Sequence, residues 1–515
     1  MLKESILVSL LSFLVSIITF INQVILAQFF GAGILMDVYL SASSIPTLVA
    51  GLIGASLSYS LTPHLIKMRL ENDESVFGKY ALHFFLKLVF YSGLLYTAGA
   101  VLSAMSIQNI FSAINDDNLK LAHRINIASW ISSFFFTLLA FSACYFNAFK
   151  NFKFPIILSF LPYCGSIISC ILLYQKFSIL SIVIGLVAGG VIACVISFLI
   201  IFKSIPFVAL KNGLLNKSIN SYFLKVPVIC IAMLSFSVYQ TIDAYWAPKI
   251  GNAALSYLGY CQRILIAVGT LVIVGPSTVL VPRLTQAISE KREHDFLKDA
   301  ALVIKLVIAL SSVVALIGSI LGTHVITVLF ERGAFSATDT AGIATILPFM
   351  LSGMVFMLCV VVLFRALFVK QMINTVAILG LTCAALYFLL SGIGSHFAQL
   401  KGIAAAYIIT WFIIFAIALY HIFKRSIEVF FNKKTFHFFT RQILILIIVG
   451  LFTAMLQVFS QSFTNNHFWK SFTVLAFSGT GGMLIYFFLS LKIIKQEEVI
   501  ILFNPLLKRE KAIIC

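Results

Sequence analysis

Fourteen stretches of about twenty consecutive apolar residues fill this chain, and no other feature limits its folding so strongly. They open near Ser5, Leu35, His83, Ile125, Phe154, Ser178, Leu224, Asn252, Ala300, Thr340, Thr375, Gly402, Gln442 and Trp469. Each is long enough to cross the hydrocarbon core of a bilayer as a helix. The runs are continuously apolar and lack the alternation of barrel strands, so helices are the expected solution. Composition agrees: 61% of residues are hydrophobic and only 10% are charged, against about 25% charged in soluble domains. No soluble core could absorb that apolar surface. The first run, Ile6 to Phe30, exceeds a signal-peptide core and has no small-residue cleavage site, so it reads as a retained span. The nine cysteines lie mostly inside apolar runs, without CxxC pairs or metal spacing. Buried thiols are expected, with no disulfide frame, no metal and no cofactor.

The basic residues set the orientation. With the N-terminus inside, 24 of the 36 Lys and Arg fall in segments on the cytoplasmic side, from Lys3 to Lys511, and only seven on the outer side. That asymmetry predicts cytoplasmic termini. It also accounts for the net charge of +18 through topology and attraction to anionic lipid, without nucleic acid.

Two short motifs recur. Gly31-Ala32-Gly33 pairs with Gly251-Asn252-Ala253, and Thr62-Pro63-His64-Leu65 with Val281-Pro282-Arg283-Leu284, at spacings of 220 and 219. Six spans lie between the copies, so the halves share orientation, as in transporters built from parallel repeats. The expected architecture is an all-α polytopic membrane protein of two parallel-repeat six-helix lobes, residues 1–222 and 223–438. Two further helices and a cytoplasmic tail occupy 439–515. The outer loops are short, no Glu lies in a span, and HExxH, GxSxG and P-loop motifs are absent, which argues against an enzyme.

Within the spans, charge is scarce and therefore informative. Arg263 sits in an apolar segment; about 12 residues at ~1.5 Å each from Gly251 place its guanidinium roughly half-way across. A charge at that depth is costly and is normally aimed at a cavity, a counter-charge or an anionic ligand. Asp37 and Asp243 are the span carboxylates. Each could serve an ion or a gate, or simply stabilise a helix end. Ser12, Ser16, Thr19 and Asn22 recur along one face of the first helix, a pattern that fits either helix–helix hydrogen bonding or sugar contacts.

Several of these residues carry a family resemblance. Phe30-Gly31-Ala32-Gly33 with Asp37, Pro46 and Pro63 resembles the first two helices of the MurJ/MviN family of lipid II flippases, in the MOP superfamily. Glu331-Arg332-Gly333-Ala334-Phe335 followed by Asp339 resembles its loop after the ninth helix. Arg365-Ala366-Leu367-Phe368 with Lys370 resembles its turn into the eleventh, and Tyr260 with Arg263 matches the eighth helix. The resemblance implies two six-helix lobes, a central cavity and alternating access. The implied substrate is an undecaprenyl-diphosphate-linked glycan, most simply lipid II, whose diphosphate Arg263 would hold. The family's other basic cavity positions are Ser16, Asn22, Ala50 and Gly51 here, and the acid before the arginine is Gln262. Candidate substrate contacts are therefore Arg263, Gln262, Asn22 and Ser16, with Asp37 and Asp243 as ion or gating candidates. A less basic cavity leaves an O-antigen or capsule repeat unit on the same carrier open, as well as a cation or drug exporter of the MATE branch. The implied setting is the bacterial cytoplasmic membrane, as a monomer among membrane lipids and near envelope-synthesis enzymes.

Overall fold

The structure is a computed structural model, and it describes residues 2–111, 114, 116–203, 217–461 and 467–493. The basic residues Lys211, Lys495, Lys508, Arg509 and Lys511, together with Cys515, lie outside the described residues.

The elements are helical throughout. α1 (Leu2–Phe30) precedes α2 (Ile34–Ser56), which continues through a π turn at Leu57–Leu61 into α3 (Thr62–Glu71). α4 (Glu74–Ile110), α5 (Leu119–Ala148), α6 (Lys153–Phe177), α7 (Leu180–Lys203), α8 (Lys217–Ser237) and α9 (Tyr239–Trp246) follow. Next come α10 (Ala254–Ser289), α11 (Glu293–Ile320), α12 (Gly322–Phe330), α13 (Ala337–Val369) and α14 (Ile373–Phe423). The chain closes with α15 (Ile427–Phe430), α16 (Lys433–Ser460), α17 (His467–Val474) and α18 (Thr480–Phe488).

Among the described residues, eleven helices are long and apolar enough to cross a membrane, or twelve if the bent pair Val226–Ser237 and Tyr239–Lys249 counts as one span. The fourteen segments of the sequence are not all recovered as separate long helices, for two reasons. The apolar part of α1, Leu14–Phe30, is shorter than the others. α14 merges the segments that open near Thr375 and Gly402 across a break at Ala398 and Gln399, where Gln399 has φ 49°. A straight helix would hold Gly394 and Gly402 about 12 Å apart. Instead a Cβ on Gly394 would lie 2.4 Å from the Gly402 carbonyl oxygen, so the chain doubles back there.

The repeat has a structural counterpart. Ala254 opens α10 220 positions after Ile34 opens α2 (254 − 34), and both helices are long, Ile34–Glu71 with 38 residues and α10 with 36.

Packing divides the chain into two compact units. The first is Met1–Gly259 with Gly333–Phe335, the second Tyr260–Arg332 with Ser336–Cys515. These are not the lobes drawn from the repeat at 222 and 438. Lobes follow the repeat in the sequence, whereas units follow contact, and α8 and α9 pack on α2.

In the first unit, α6 and α7 approach through small residues. A Cβ on Gly185 would stand 2.3 Å from the Gly165 carbonyl oxygen, and one on Gly189 2.4 Å from that of Leu161. Lipid gives no hydrophobic drive for such contact, so close backbone approach and dispersion supply it. A second core joins α3, α4 and α5: Phe84 stacks on Phe141 at 5.8 Å, and Leu57, Leu61 and Leu65 fill the gap below. Arg69 closes its edge, donating to the Ala148 carbonyl at 2.8 Å while lying 4.1 Å from the Phe149 ring.

In the second unit, the two C-terminal spans pack on α11. Val313, Ile317 and Leu321 meet Ile445 and Val449 of α16, Val474 of α17 and Tyr486 of α18. Polar contacts fix the register: Gln442 Nε2 donates to the Ala309 carbonyl at 3.1 Å and to Ser312 Oγ at 2.9 Å, and Tyr486 donates to the same carbonyl at 2.9 Å.

Candidate substrate-binding residues

In the first unit, the polar face of α1 is not uniform. Ser16 is exposed, and Thr19 donates to the Val15 carbonyl one turn back at 2.8 Å. Asn22 is different: it is 3% exposed, and its Oδ1 is buried with no hydrogen-bond partner among the described residues. The neighbouring Gln23 Oε1 is buried in the same condition, and no spacing rule in the sequence singled it out. A buried acceptor without a donor costs about 1–3 kcal/mol, so this corner of α1 suits a ligand bearing O–H or N–H groups.

Asp37 lies in the first turn of α2 and is buried. Its Oδ1 accepts from the Ser256 backbone N–H at 2.7 Å and from the Ser256 hydroxyl. Ser256 stands in the first turn of α10, where backbone N–H groups have no helical acceptor. Asp37 is therefore a cap supplied from another helix, and its charge also faces the positive end of the α10 dipole. The partner is legible only in retrospect. Asp37 and Ser256 are 219 residues apart, one short of the spacing of 220 at which Ile34 and Ala254 open their helices, so the bond joins neighbouring positions of the two copies.

Asp243 is fully buried on α9, just after the chain bends by 57° between Ser237 and Tyr239. In the second unit, Gln262 and Arg263 lie one turn along α10 from Tyr260 and are partly buried. The Arg263 guanidinium carbon is 5.3 Å from the centroid of the Tyr260 ring, within cation–π range, and Tyr260 itself is buried against Phe330. Aromatic support of this kind restrains a long side chain. Asn22 and Ser16 thus share α1 in one unit, and Gln262 and Arg263 share α10 in the other.

The loop that carries the family-like motif has a structural task. Ala334 N donates to the Gln28 carbonyl at 2.8 Å, and Gly333 adopts φ 62° with its α-carbon against that same carbonyl. A Cβ there would fall 2.3 Å from the Gln28 oxygen, so only glycine fits. Ser336 and Asp339 then form a capping box that starts α13.

A polar cluster unforeseen from the sequence holds α12 to α17. Thr327 and Thr340 donate to Glu331 Oε2 at 2.8 and 2.7 Å, and His467 Nδ1 lies 3.4 Å from Oε1. Nearby, His324 Nδ1 is 3.2 Å from Ser471 Oγ. Burial pushes the His324 imidazole below its ordinary pKa, and the charges of Lys470 and His467 push the same way.

Comparison with known proteins places this geometry. A family model described as lipid II flippase MurJ matches residues 26–476. A probable lipid II flippase MurJ of Buchnera aphidicola subsp. Baizongia pistaciae is 23% identical over 355 residues, 68% of this chain and 69% of that protein. Among solved structures, a lipid II flippase MurJ in an inward closed conformation superposes with a TM-score of 0.74 at 21% identity, covering 98% of this chain and all of that one. An inward-facing multidrug resistance MATE family transporter of the MOP superfamily gives 0.60 at 13% identity, covering 81% of this chain and 96% of that one. At those identities the two structural likenesses speak for the fold alone.

Proposed function

The chain belongs to the lipid II flippase MurJ family, and from that premise we propose that it moves lipid II from the inner to the outer leaflet of a bacterial cytoplasmic membrane. The observation that carries this reading is the family match across residues 26–476, which spans everything from the end of α1 to α17. No covalent chemistry is required; the protein is a transporter. Its work is to shield a charged head group while the lipid tail stays in the bilayer, by alternating exposure to the two sides.

Arg263 supports a place for the diphosphate. Its charge is fixed, its fork matches phosphate oxygens, and Tyr260 restrains it. An anion in a low-dielectric site would offset the cost of an arginine at that depth. Asn22, with its buried acceptor, supports a contact with the hydroxyl or amide groups of the head group, and Gln262 and Ser16 stand beside these two anchors. The Asp37–Ser256 bond favours a positioning role for Asp37, because it holds the start of the helix that carries Arg263 two turns later. Asp243 remains the candidate for a coupled ion or gate. We take both termini to be cytoplasmic and the protein to act as a monomer, in reach of envelope-synthesis enzymes.

The test is complementation of a flippase-depleted strain, with surface exposure of lipid II as the readout. Arg263→Ala should abolish rescue while the protein still reaches the membrane, and Arg263→Lys should rescue poorly, since a point charge cannot replace the fork. Full rescue by Arg263→Ala would remove the diphosphate role. One observation favours a second reading: the family's basic positions are Ser16, Asn22, Ala50 and Gly51 here. A repeat unit with fewer anionic groups on the same carrier suits that cavity. Failure of the wild type to expose lipid II, with export of an O-antigen or capsule repeat, would select it.

A further inference from the structure

The basic residues of the second unit are not spread evenly: one cavity collects five of them. It has a volume of about 900 Å³ and lies between the first half of α11 and the α15–α16 turn. Lys298 and Lys305 line it from α11, and Lys433, Lys434 and Arg441 from α16; among the described residues Glu428 is the only carboxylate on its wall. We propose that this cavity binds the phosphate head group of an anionic membrane phospholipid.

Four features argue for it. α11 and α16 run side by side in the same direction, because Gln442 reaches Ala309 and Ser312 while Gly450 reaches Leu316 and Ile320. Their N-termini therefore point to the same side, with α11 projecting beyond α16. The first turn of α16 opens into the corner so formed; Asn432 caps only Thr435 N, and the positive end of the helix dipole adds to the lysines. Second, the like charges are stacked along each helix, Lys298 with Lys305 and Lys434 with Arg441 at seven-residue intervals. Such rows repel one another, and an anion with several acceptor oxygens relieves them together.

Third, Lys305 belongs to a membrane-spanning helix and is 8% exposed, yet it borders this cavity. An ammonium that deep needs a polar or anionic surrounding. Fourth, the wall is apolar where the cations are not: Ala301, Leu302, Val429 and Phe438 continue it toward the span. A soluble anion has no use for that surface, whereas the glycerol and first methylenes of a lipid do. Basic clefts between spans on the cytoplasmic side are the general setting for anionic head groups. The charge asymmetry of the sequence puts this end of α11 and α16 there.

The experiment uses the full-length protein in neutral detergent micelles and counts bound lipid by native mass spectrometry. Wild type should bind phosphatidylglycerol at a saturable site and phosphatidylcholine much more weakly. The triple variant Lys433→Gln, Lys434→Gln, Arg441→Gln removes three exposed cations and should weaken phosphatidylglycerol binding by about tenfold or more. A control, Lys67→Gln, Lys150→Gln, Lys153→Gln, removes the same charge from exposed positions of the first unit and should bind as wild type. Equal binding by the first variant, or equal loss in both, overturns the site. Displacement of the lipid by inorganic phosphate at comparable concentration would make it a small-anion site. Preference of the same site for a polyprenyl diphosphate over phosphatidylglycerol would overturn the phospholipid as occupant. Thermal unfolding of both variants identifies any loss that comes from misfolding.

Discussion

A single carboxylate illustrates how residue identity and residue role separate in this chain. Asp37 reads from sequence as a rare intramembrane acid, which invites an ion or a gate. In the structure it closes the open end of α10 through Ser256. The two roles differ in whether charge is needed. Asp37→Asn keeps an oxygen that can accept from Ser256, so rescue by this variant should stay near wild type. Asp37→Ala removes the acceptor and should cost roughly 1.5–3 kcal/mol of stability, measured by thermal unfolding in detergent. Loss of transport in Asp37→Asn with unchanged stability would return the ion role to this residue. Arg263 shows the opposite relation. Its depth in an apolar run is legible from hydropathy alone, and the fold adds the Tyr260 ring beneath it.

Between elements, the informative contacts are short range and sterically strict. The α6–α7 crossing depends on Gly165, Gly185 and Gly189, and a side chain at Gly185 would collide with backbone, which cannot move aside as a side chain can. Gly185→Leu should lower stability by about 1–3 kcal/mol, whereas Gly33→Ala, with nothing within 4 Å of the added carbon, should be near neutral. Thermal unfolding of the two variants checks this. The α12–α17 junction should respond to acid. His324 is held below its ordinary pKa by burial first, then by Lys470 and His467. Folded protein therefore binds fewer protons than unfolded protein between that lowered value and about 6.5, and stability rises with pH there. The contribution is complete above about 6.5 and is lost as pH falls below it. Protection factors of the α17 amides, corrected for the intrinsic pH dependence of exchange, should fall from pH 7.5 to 5.5, and His324→Gln should flatten that response.

At the scale of the whole molecule, the lysines and arginines should decide orientation. Reporter fusions at the loops holding Lys150 and Lys291 should report cytoplasm, and fusions near Lys120 and Lys401 the outer side. A reversed pattern would overturn the assignment and, with it, the inner-leaflet setting of the basic cavity. Much of the architecture is legible from sequence because lipid is a severe solvent. Each crossing must satisfy its backbone internally, so span, helix and apolar run coincide. The duplication is legible too, since Ile34 and Ala254 open their helices at the repeat spacing. What escapes is any feature that depends on partners distant in the chain. The Asp37–Ser256 bond is one: nothing local to either residue names the other. The reversal inside α14, by contrast, falls where the sequence already parts two segments, opening near Thr375 and Gly402, around Gln399 and Lys401.

Sequence by itself determined that the chain is a helical membrane protein, which family it resembles, and which charges lie at costly depth. Those properties follow from local composition and period, which the bilayer reads one helix at a time. Tertiary structure alone decided that Asp37 caps α10, that Asn22 and Gln23 bury acceptors without donors among the described residues, and that five cations share one cavity. Each of these depends on side chains brought together by packing, and packing in lipid is governed by shape and hydrogen bonds that no hydropathy pattern records.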